Sequence, residues 1–99
     1  MTSVQTPLTI DRHCSLLNHA YRRQLLQSLR EASPRSVIDA TELIKDPHAD
    51  IDTIRLKLYH IHLPLLDDYD VISRTDNDFR ISRGENFSTL NFELLEAVA

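Results

Sequence analysis

The chain has 99 residues, of which 41% are hydrophobic and 26% charged, a mixture typical of one globular domain rather than a disordered chain. Eleven lysines and arginines against fifteen aspartates and glutamates give a net charge of −4, which argues against a protein that coats nucleic acid through its overall charge. One cysteine excludes an intramolecular disulfide, and without an apolar run that suits a membrane span or a signal peptide we expect a cytoplasmic protein.

The first predicted element is a long amphipathic helix that follows a polar arm. Residues 1–8 are polar with one proline, so we expect a flexible N-terminal arm there. Apolar residues then recur every three or four positions, which predicts a helix over residues 10–31 that Pro34 terminates. Arg22 and Arg23 lie off this apolar stripe, on the side expected to face water. The stripe consists of Ile10, Cys14, Leu17, Tyr21, Leu25 and Leu29.

A short strand and two more helices are predicted next. Val37-Ile38 indicates a strand, and Asp39 with Glu42 three residues later is the pattern of a capping box that starts a helix over residues 40–45. Asp50 or Asp52 can cap a third helix, in which Pro64 predicts a kink. The apolar positions of this third helix are Ile51, Ile54, Leu58, Ile61 and Leu65.

The C-terminal third predicts a β-hairpin and a final helix. Residues 71–74 and 79–83 alternate between apolar and polar on either side of a turn. Ser88 can cap a last helix, with Phe87 and Phe92 as a hydrophobic staple. We therefore divide the chain into the arm (1–8), a domain over residues 9–87 and a C-terminal helix over residues 88–99.

This order of elements is that of a winged helix-turn-helix domain: long helix, short strand, short helix, amphipathic helix, hairpin and terminal helix. In such domains the helix before the hairpin enters the major groove of DNA, and the hairpin, called the wing, contacts the backbone or the minor groove. The predicted fold is therefore α+β and mostly helical, a winged helix-turn-helix with a two-stranded wing and a C-terminal helix.

Two stretches of sequence add a family resemblance. Residues 58–72 (LYHIHLPLLDDYDVI) resemble the "helix, HLPxL, acidic pair, hydrophobic strand" segment of small winged-helix domains common in haloarchaea, which are similar to ArsR-type repressors. Residues 21–30 (YRRQLLQSLR) resemble the RRxxLLxxL signature of the first helix in the same group. The resemblance implies a cytoplasmic, dimeric, DNA-binding regulator. Asp70 stands where the pattern has glycine, so here an aspartate must make the left-handed turn.

The candidate DNA-binding residues lie on the third helix and on the hairpin. Arginine binds guanine edges or phosphates, and tyrosine and histidine donate hydrogen bonds to phosphate. The alternatives are a basic but merely solvated helix face, and a charged sheet edge that discourages strand pairing. Asp50 and Asp52 oppose DNA binding at the start of the helix. The candidates are Thr53, Arg55, Lys57, Tyr59, His60 and His62 on the helix, and Arg74, Arg80 and Arg83 on the hairpin.

The first and last helices form the dimer surface that the resemblance to ArsR-type proteins implies. Both carry an apolar edge, and a short chain gains core by pairing with a second copy. The alternative is that the last helix folds back onto the core of its own chain. The predicted dimer residues are Cys14, Leu17, Tyr21, Leu90, Leu94, Leu95 and Val98.

We expect no metal site, no cofactor and no catalytic residues. His60 and His62 are two residues apart, so on a helix they point to different faces, and the adjacent pair His13 and Cys14 also diverges. Cys14 lies on the apolar stripe, where burial disfavours the thiolate. One glycine cannot build a glycine-rich phosphate loop.

The sequence thus favours a homodimeric transcriptional regulator that binds double-stranded DNA and is not an enzyme. The alternative is a winged-helix adaptor that binds proteins or dimerises without binding DNA, and the acidic net charge favours this second interpretation.

Overall fold

The computed structural model describes residues 10–75 and 78–93. These residues form an α+β fold, mostly helical, with a small three-stranded antiparallel sheet. The helices are α1 (Ile10–Leu17), α2 (Ala20–Glu31), α3 (Ala40–Leu43), α4 (Ile51–Lys57) and α5 (Leu63–Asp68), with a π-helical segment (Leu58–His62) between α4 and α5 and a 3₁₀ turn (Phe87–Thr89) near the end. The strands are β1 (Ile38–Asp39), β2 (Ile72–Arg74) and β3 (Arg80–Arg83).

The sheet confirms the predicted hairpin and the short strand before it. Its order is β1-β3-β2, with Ile38 opposite Ile81 and Ile72 opposite Arg83. Ile72 and Ile81 are buried, so one face of the sheet closes the core. The other core side chains come chiefly from the helices: Leu16, Leu25, Leu26 and Leu29 from the first two, and Leu58, Leu63 and Leu66 from the segment around α5.

The predicted starts of α3 and α4 are also confirmed. The Asp39 carboxylate accepts a hydrogen bond from the Thr41 amide at 2.9 Å, and the Asp50 carboxylate accepts one from the Thr53 amide at 2.8 Å. Both aspartates therefore cap helix N-termini, as their positions predicted. Helix α3 is shorter than expected and ends at Leu43 rather than at residue 45.

The predicted first helix is in fact two helices, separated at Asn18 and His19. His19 is extended (φ −152°, ψ 135°) and its Nδ1 accepts the Tyr21 amide at 3.0 Å, which starts α2. The carbonyls at the end of α1 accept hydrogen bonds from arginines: Arg22 donates to Leu16 and Ser15, and Arg23 donates to Leu17. The expectation that both arginines face water was therefore wrong for Arg22, which is buried.

The third predicted helix changes its hydrogen-bond spacing in the middle, and this shifts its buried face. Over Leu58–His62 the helix is π-helical, and the Leu63 amide donates to the carbonyl of Leu58, five residues earlier. The wider turn holds one additional residue, so the inward position passes from Ile61 to His62. Ile61 is 53% exposed and His62 is 2% exposed, the reverse of the predicted arrangement. The kink or loosening predicted at Pro64 takes the form of this wide-turned segment, with Pro64 in the first turn of α5.

The end of α5 is closed by a left-handed residue, as predicted for Asp70. Asp70 has φ 58°, the Asp70 amide donates to Asp67 at 2.9 Å and the Val71 amide donates to Leu66 at 3.1 Å. These two bonds form a Schellman motif. Gly84 packs directly against this turn, since a Cβ built there would lie 2.2 Å from the Asp70 carbonyl oxygen and 2.8 Å from the Ile72 nitrogen.

The segment predicted to be a C-terminal helix begins differently. Residues 87–89 form a 3₁₀ turn and Leu90 is extended, while Phe87 and Leu90 are buried in the core. The rings of Phe87 and Phe92 contact each other, with centroids 5.3 Å apart. Residues 94–99 and the predicted arm at residues 1–8 lie outside the described residues.

Candidate nucleic-acid interface

Helix α4 and the π-helical segment after it meet the hairpin region through four side chains, two arginines and two aromatic rings. The ring of Tyr59 lies 6.2 Å from that of Phe79, which directly precedes β3. The Arg55 guanidinium lies 5.9 Å from the Phe79 ring, and the Arg74 guanidinium lies 5.8 Å from the Tyr59 ring. Both arginines are within the range of a cation–π contact. We call these four residues the arginine–aromatic cluster.

The cationic side chains of this region are open to solvent. Arg55, Lys57 and His60 are exposed, and Tyr59 is 39% exposed. Within the described ranges no carboxylate forms an ion pair with Arg55, Lys57 or Arg74. The buried Nε of Arg74 also has no hydrogen-bond partner there. The charges of Arg55 and Lys57 are therefore available to an anionic ligand.

The acidic residues of α4 lie in its first turn, whereas its basic residues lie in its last turn. The Asp50 carboxylate is occupied by the N-cap, and its hydrogen bonds with Thr53 hold the Asp50 pKa below the usual value. Thr53 is half-buried beside this cap. The cationic part of α4 therefore runs from Arg55 to Lys57.

Arg80, a predicted wing contact, is exposed but already paired. Its guanidinium lies 2.8 Å from Asp78 Oδ2, and this contact is the main reason why the Asp78 pKa is lowered. An exposed pair of this kind is weak, so a phosphate can compete for the arginine.

Two residues predicted to contact DNA have structural positions instead. His62 is buried behind the helix, for the register reason given above. Arg83 donates hydrogen bonds to the carbonyls of Leu29, Arg30 and Ala32 at 2.9–3.1 Å, and its guanidinium lies 4.7 Å from the Phe87 ring. Arg83 therefore caps the C-terminus of α2. The predictions for these two residues were wrong.

On the inner side of the π-helical segment, His62 packs against His19 and Arg22. Arg22 Nη1 lies 3.0 Å from His62 Nδ1, and the rings of His19 and His62 are 4.2 Å apart. Because a guanidinium only donates, His62 Nδ1 accepts and the imidazole is neutral. Burial first, and then the charges of His19, Arg22 and Lys57, lower the pKa of His62 to about 4. The pKa of His19 is lowered for the same reasons.

The connection between α3 and α4 is held in place by α2. The Tyr21 hydroxyl donates to Asp46 Oδ2 at 2.6 Å, a bond that raises the pKa of Tyr21 to about 12 and lowers that of Asp46. The side-chain amide of Gln24 accepts from the Lys45 amide at 2.8 Å. These bonds fix the point at which the chain enters α4, and so fix the orientation of its exposed face.

Of the four predicted dimer residues that the structure describes, three are buried within the chain itself. Leu17, Tyr21 and Leu90 belong to the core, so these predictions were wrong. Cys14 is exposed, not buried as its place on the apolar stripe predicted. Leu94, Leu95 and Val98 lie outside the described residues.

Sequence reasoning missed two residues of this region, Phe79 and Arg22. Phe79 alternates with Ile81, so its position facing the third helix follows from the strand pattern. No comparable signal marks Arg22, because the break between α1 and α2 that places it inside the protein interrupts a continuous apolar stripe.

Searches for related proteins found no matching family model, curated protein or solved structure. In the described parts of the chain, no three His, Cys, Asp or Glu side chains gather closely enough to hold a metal ion. None of the helices in residues 10–75 and 78–93 has the length and apolarity needed to cross a membrane. Function is therefore inferred from the geometry of the site.

Proposed function

We propose that the chain is a winged-helix transcriptional regulator that binds double-stranded DNA in the cytoplasm. The order of helices, strands and hairpin supports this proposal, as does the fixed connection between α3 and α4, which form the helix-turn-helix. Helix α4 with the π-helical segment occupies the major groove, and the hairpin of β2 and β3 follows the phosphate backbone.

The arginine–aromatic cluster is the observation that carries the proposal. Phe79 lies close to Tyr59 of the π-helical segment and to Arg55 of α4, and Arg74 lies close to Tyr59, so the cations of the helix and of the hairpin lie near one another. Arg55 binds a guanine edge or a phosphate, Lys57 and Arg74 bind phosphates, and Tyr59 and His60 donate hydrogen bonds. The net charge of −4 makes binding depend on this local surface and therefore on salt.

A salt-dependent titration of labelled duplex DNA tests the proposal. Arg55→Ala should cost about 1–3 kcal/mol of binding free energy, and Lys57→Ala should reduce the slope of log affinity against log salt by about one. Arg35→Ala is the matched control, since it removes an exposed arginine outside α4 and the hairpin. Equal affinity and equal slope for all three variants would contradict the proposal.

Homodimerisation is part of the proposal, because helix-turn-helix proteins commonly bind as dimers to two symmetric half-sites in the DNA. Of the predicted dimer surface, Cys14 is exposed, and Leu94, Leu95 and Val98 lie outside the described residues. Sedimentation of a variant with Leu94, Leu95 and Val98 changed to alanine tests this surface. A dimer that is unchanged in this variant would place the interface elsewhere.

The second candidate is an adaptor that binds protein and not DNA. Exposed apolar side chains on α4 and the π-helical segment favour it, together with the acidic net charge. Absence of any salt-dependent DNA binding by the unaltered chain is the result that this candidate requires.

A further inference from the structure

The exposed apolar side chains of this protein are concentrated on one element. In residues 10–75 and 78–93 the large hydrophobic residues that are exposed are Val37, Ile51, Leu56, Tyr59 and Ile61, and all but Val37 lie between residues 51 and 62. Leu56 is 60% exposed and Ile61 is 53% exposed. Such a concentration on a helix marks a contact surface.

Leu56 occupies the outermost position of α4. Its neighbours two residues away in either direction, Ile54 and Leu58, are both buried, and residues two apart on a helix lie on nearly opposite sides. Leu56 therefore projects away from the core. It stands between the exposed cations Arg55 and Lys57, which flank it in sequence.

Ile61, in the π-helical segment, is a further exposed aliphatic side chain, and we call Leu56 and Ile61 the apolar ridge. A regular helix would turn Ile61 inward beneath Leu58, but the additional residue in the wide turn places His62 there instead. Ile61 is therefore exposed because the helix type changes. Leu58 and Leu63 remain buried in the core.

The charges around the ridge select its ligand. An apolar partner surface alone would leave Arg55 and Lys57 without counter-charges at contact distance, because no described carboxylate forms an ion pair with them. The major groove of DNA offers both chemistries, since phosphates line its edges and the C5-methyl groups of thymine are the apolar features of its floor.

We infer that Leu56, assisted by Ile61, recognises thymine methyl groups in the major groove, so that the target sites of this protein contain thymine at the position facing Leu56. This inference rests on the proposed function and adds a specificity-determining residue to it. Arg55 and Lys57 anchor the helix on the phosphates, and the apolar ridge distinguishes the bases.

Replacement of thymine by deoxyuridine in the bound DNA tests the inference, because it removes only the methyl group. Target sequences are first selected from a randomised duplex pool with the unaltered chain. We expect thymine in the selected core, and about a fourfold loss of affinity when the critical thymine becomes deoxyuridine. Leu56→Ala should bind thymine and deoxyuridine equally. Val37→Ala is the matched control, since Val37 is also 60% exposed but lies outside the ridge, and it should keep the fourfold difference.

The possible failures are distinguishable. Salt-dependent binding with no difference between thymine and deoxyuridine, or selected sequences that lack thymine, would overturn the inference and leave the proposed function standing. Absence of duplex binding by the unaltered chain would overturn both. Self-association that Leu56→Ala abolishes and Val37→Ala preserves would assign the ridge to a second copy of the chain, and would also overturn the inference.

Discussion

We expect the protein to lose stability in mild acid, because His62 of the π-helical segment is buried. In the folded chain His62 is neutral, because Nδ1 accepts from Arg22 and the ring is excluded from water. His19, Arg22 and Lys57 are the charged or titratable groups whose positive charge opposes its protonation. In the unfolded chain none of these constraints holds, and the imidazole titrates at its ordinary pKa.

The magnitude follows from the difference between the two pKa values. The pKa of His62 is about 4 in the folded chain against 6.5 in the unfolded chain, so the unfolded state binds more protons between these values. The stabilisation is complete above pH 6.5 and is lost as the pH falls towards 4, at up to about 1.4 kcal/mol per pH unit. The total is about 3 kcal/mol, a large share of the 5–15 kcal/mol or so typical of a small domain. His19, whose pKa is also lowered, acts in the same direction.

Urea unfolding at a series of pH values measures this effect. His62→Gln removes the titrating ring and should flatten the dependence of the unfolding free energy on pH between 6.5 and 4.5. His60→Gln, which changes an exposed neighbour, should retain it. Asp46, Asp50 and Asp78 also have lowered pKa values. Their contribution to the unfolding free energy is lost at lower pH, below the range in which His62 acts.

If the unfolding free energies of His62→Gln and of the unaltered chain depend on pH in the same way, this reasoning is refuted. If His62→Gln does not fold, the ring of the unaltered chain still reports directly by NMR. A titration midpoint of His62 at its ordinary value would then refute the assignment of a neutral, buried imidazole.

Three further predictions concern the hairpin and the turn at Asp70. Gly84→Ala should cost at least about 3 kcal/mol in chemical denaturation, because the new Cβ would collide with backbone atoms, and Ser82→Ala is the control that introduces no such clash. Asp70→Gly should stabilise the protein by up to about 1 kcal/mol by relieving a left-handed conformation, and an unchanged melting temperature would contradict this. Arg83→Gln should cost about 2 kcal/mol of stability by uncapping α2 yet leave DNA affinity unchanged, whereas a loss of affinity like that of Arg55→Ala would return Arg83 to the DNA surface.

Local chemistry made several elements predictable from the sequence. Asp39 and Asp50 cap helices because a carboxylate at the N-cap position satisfies amides that have no partner within the helix. The left-handed turn at Asp70 was expected from the family resemblance, in which glycine holds this position, and the hairpin was expected chiefly from the strict alternation of residues 79–83. Each of these signals lies within a few residues and does not depend on the rest of the fold.

The errors arose where contacts with distant parts of the chain decide whether a side chain is buried or exposed. The choice between Ile61 and His62 as the inward residue depends on a hydrogen bond to the Leu58 carbonyl and on Arg22, which donates a hydrogen bond to His62 in the core. Arg83 was assigned to DNA because it is an arginine on a hairpin, although alternation already places it on the same face as Ile81. Its partners are carbonyls more than fifty residues away, which no local pattern reveals.

The π-helical segment has an evolutionary consequence. Its hydrogen bonds span five residues where an ordinary helix spans four, so it holds one amino acid in excess. We expect loss of one codon between Leu58 and His62 to restore a regular helix with Leu58 and Leu63 still inside. Such a deletion would change the exposed side chains of this segment in one step, while Leu58 and Leu63 stay in the core.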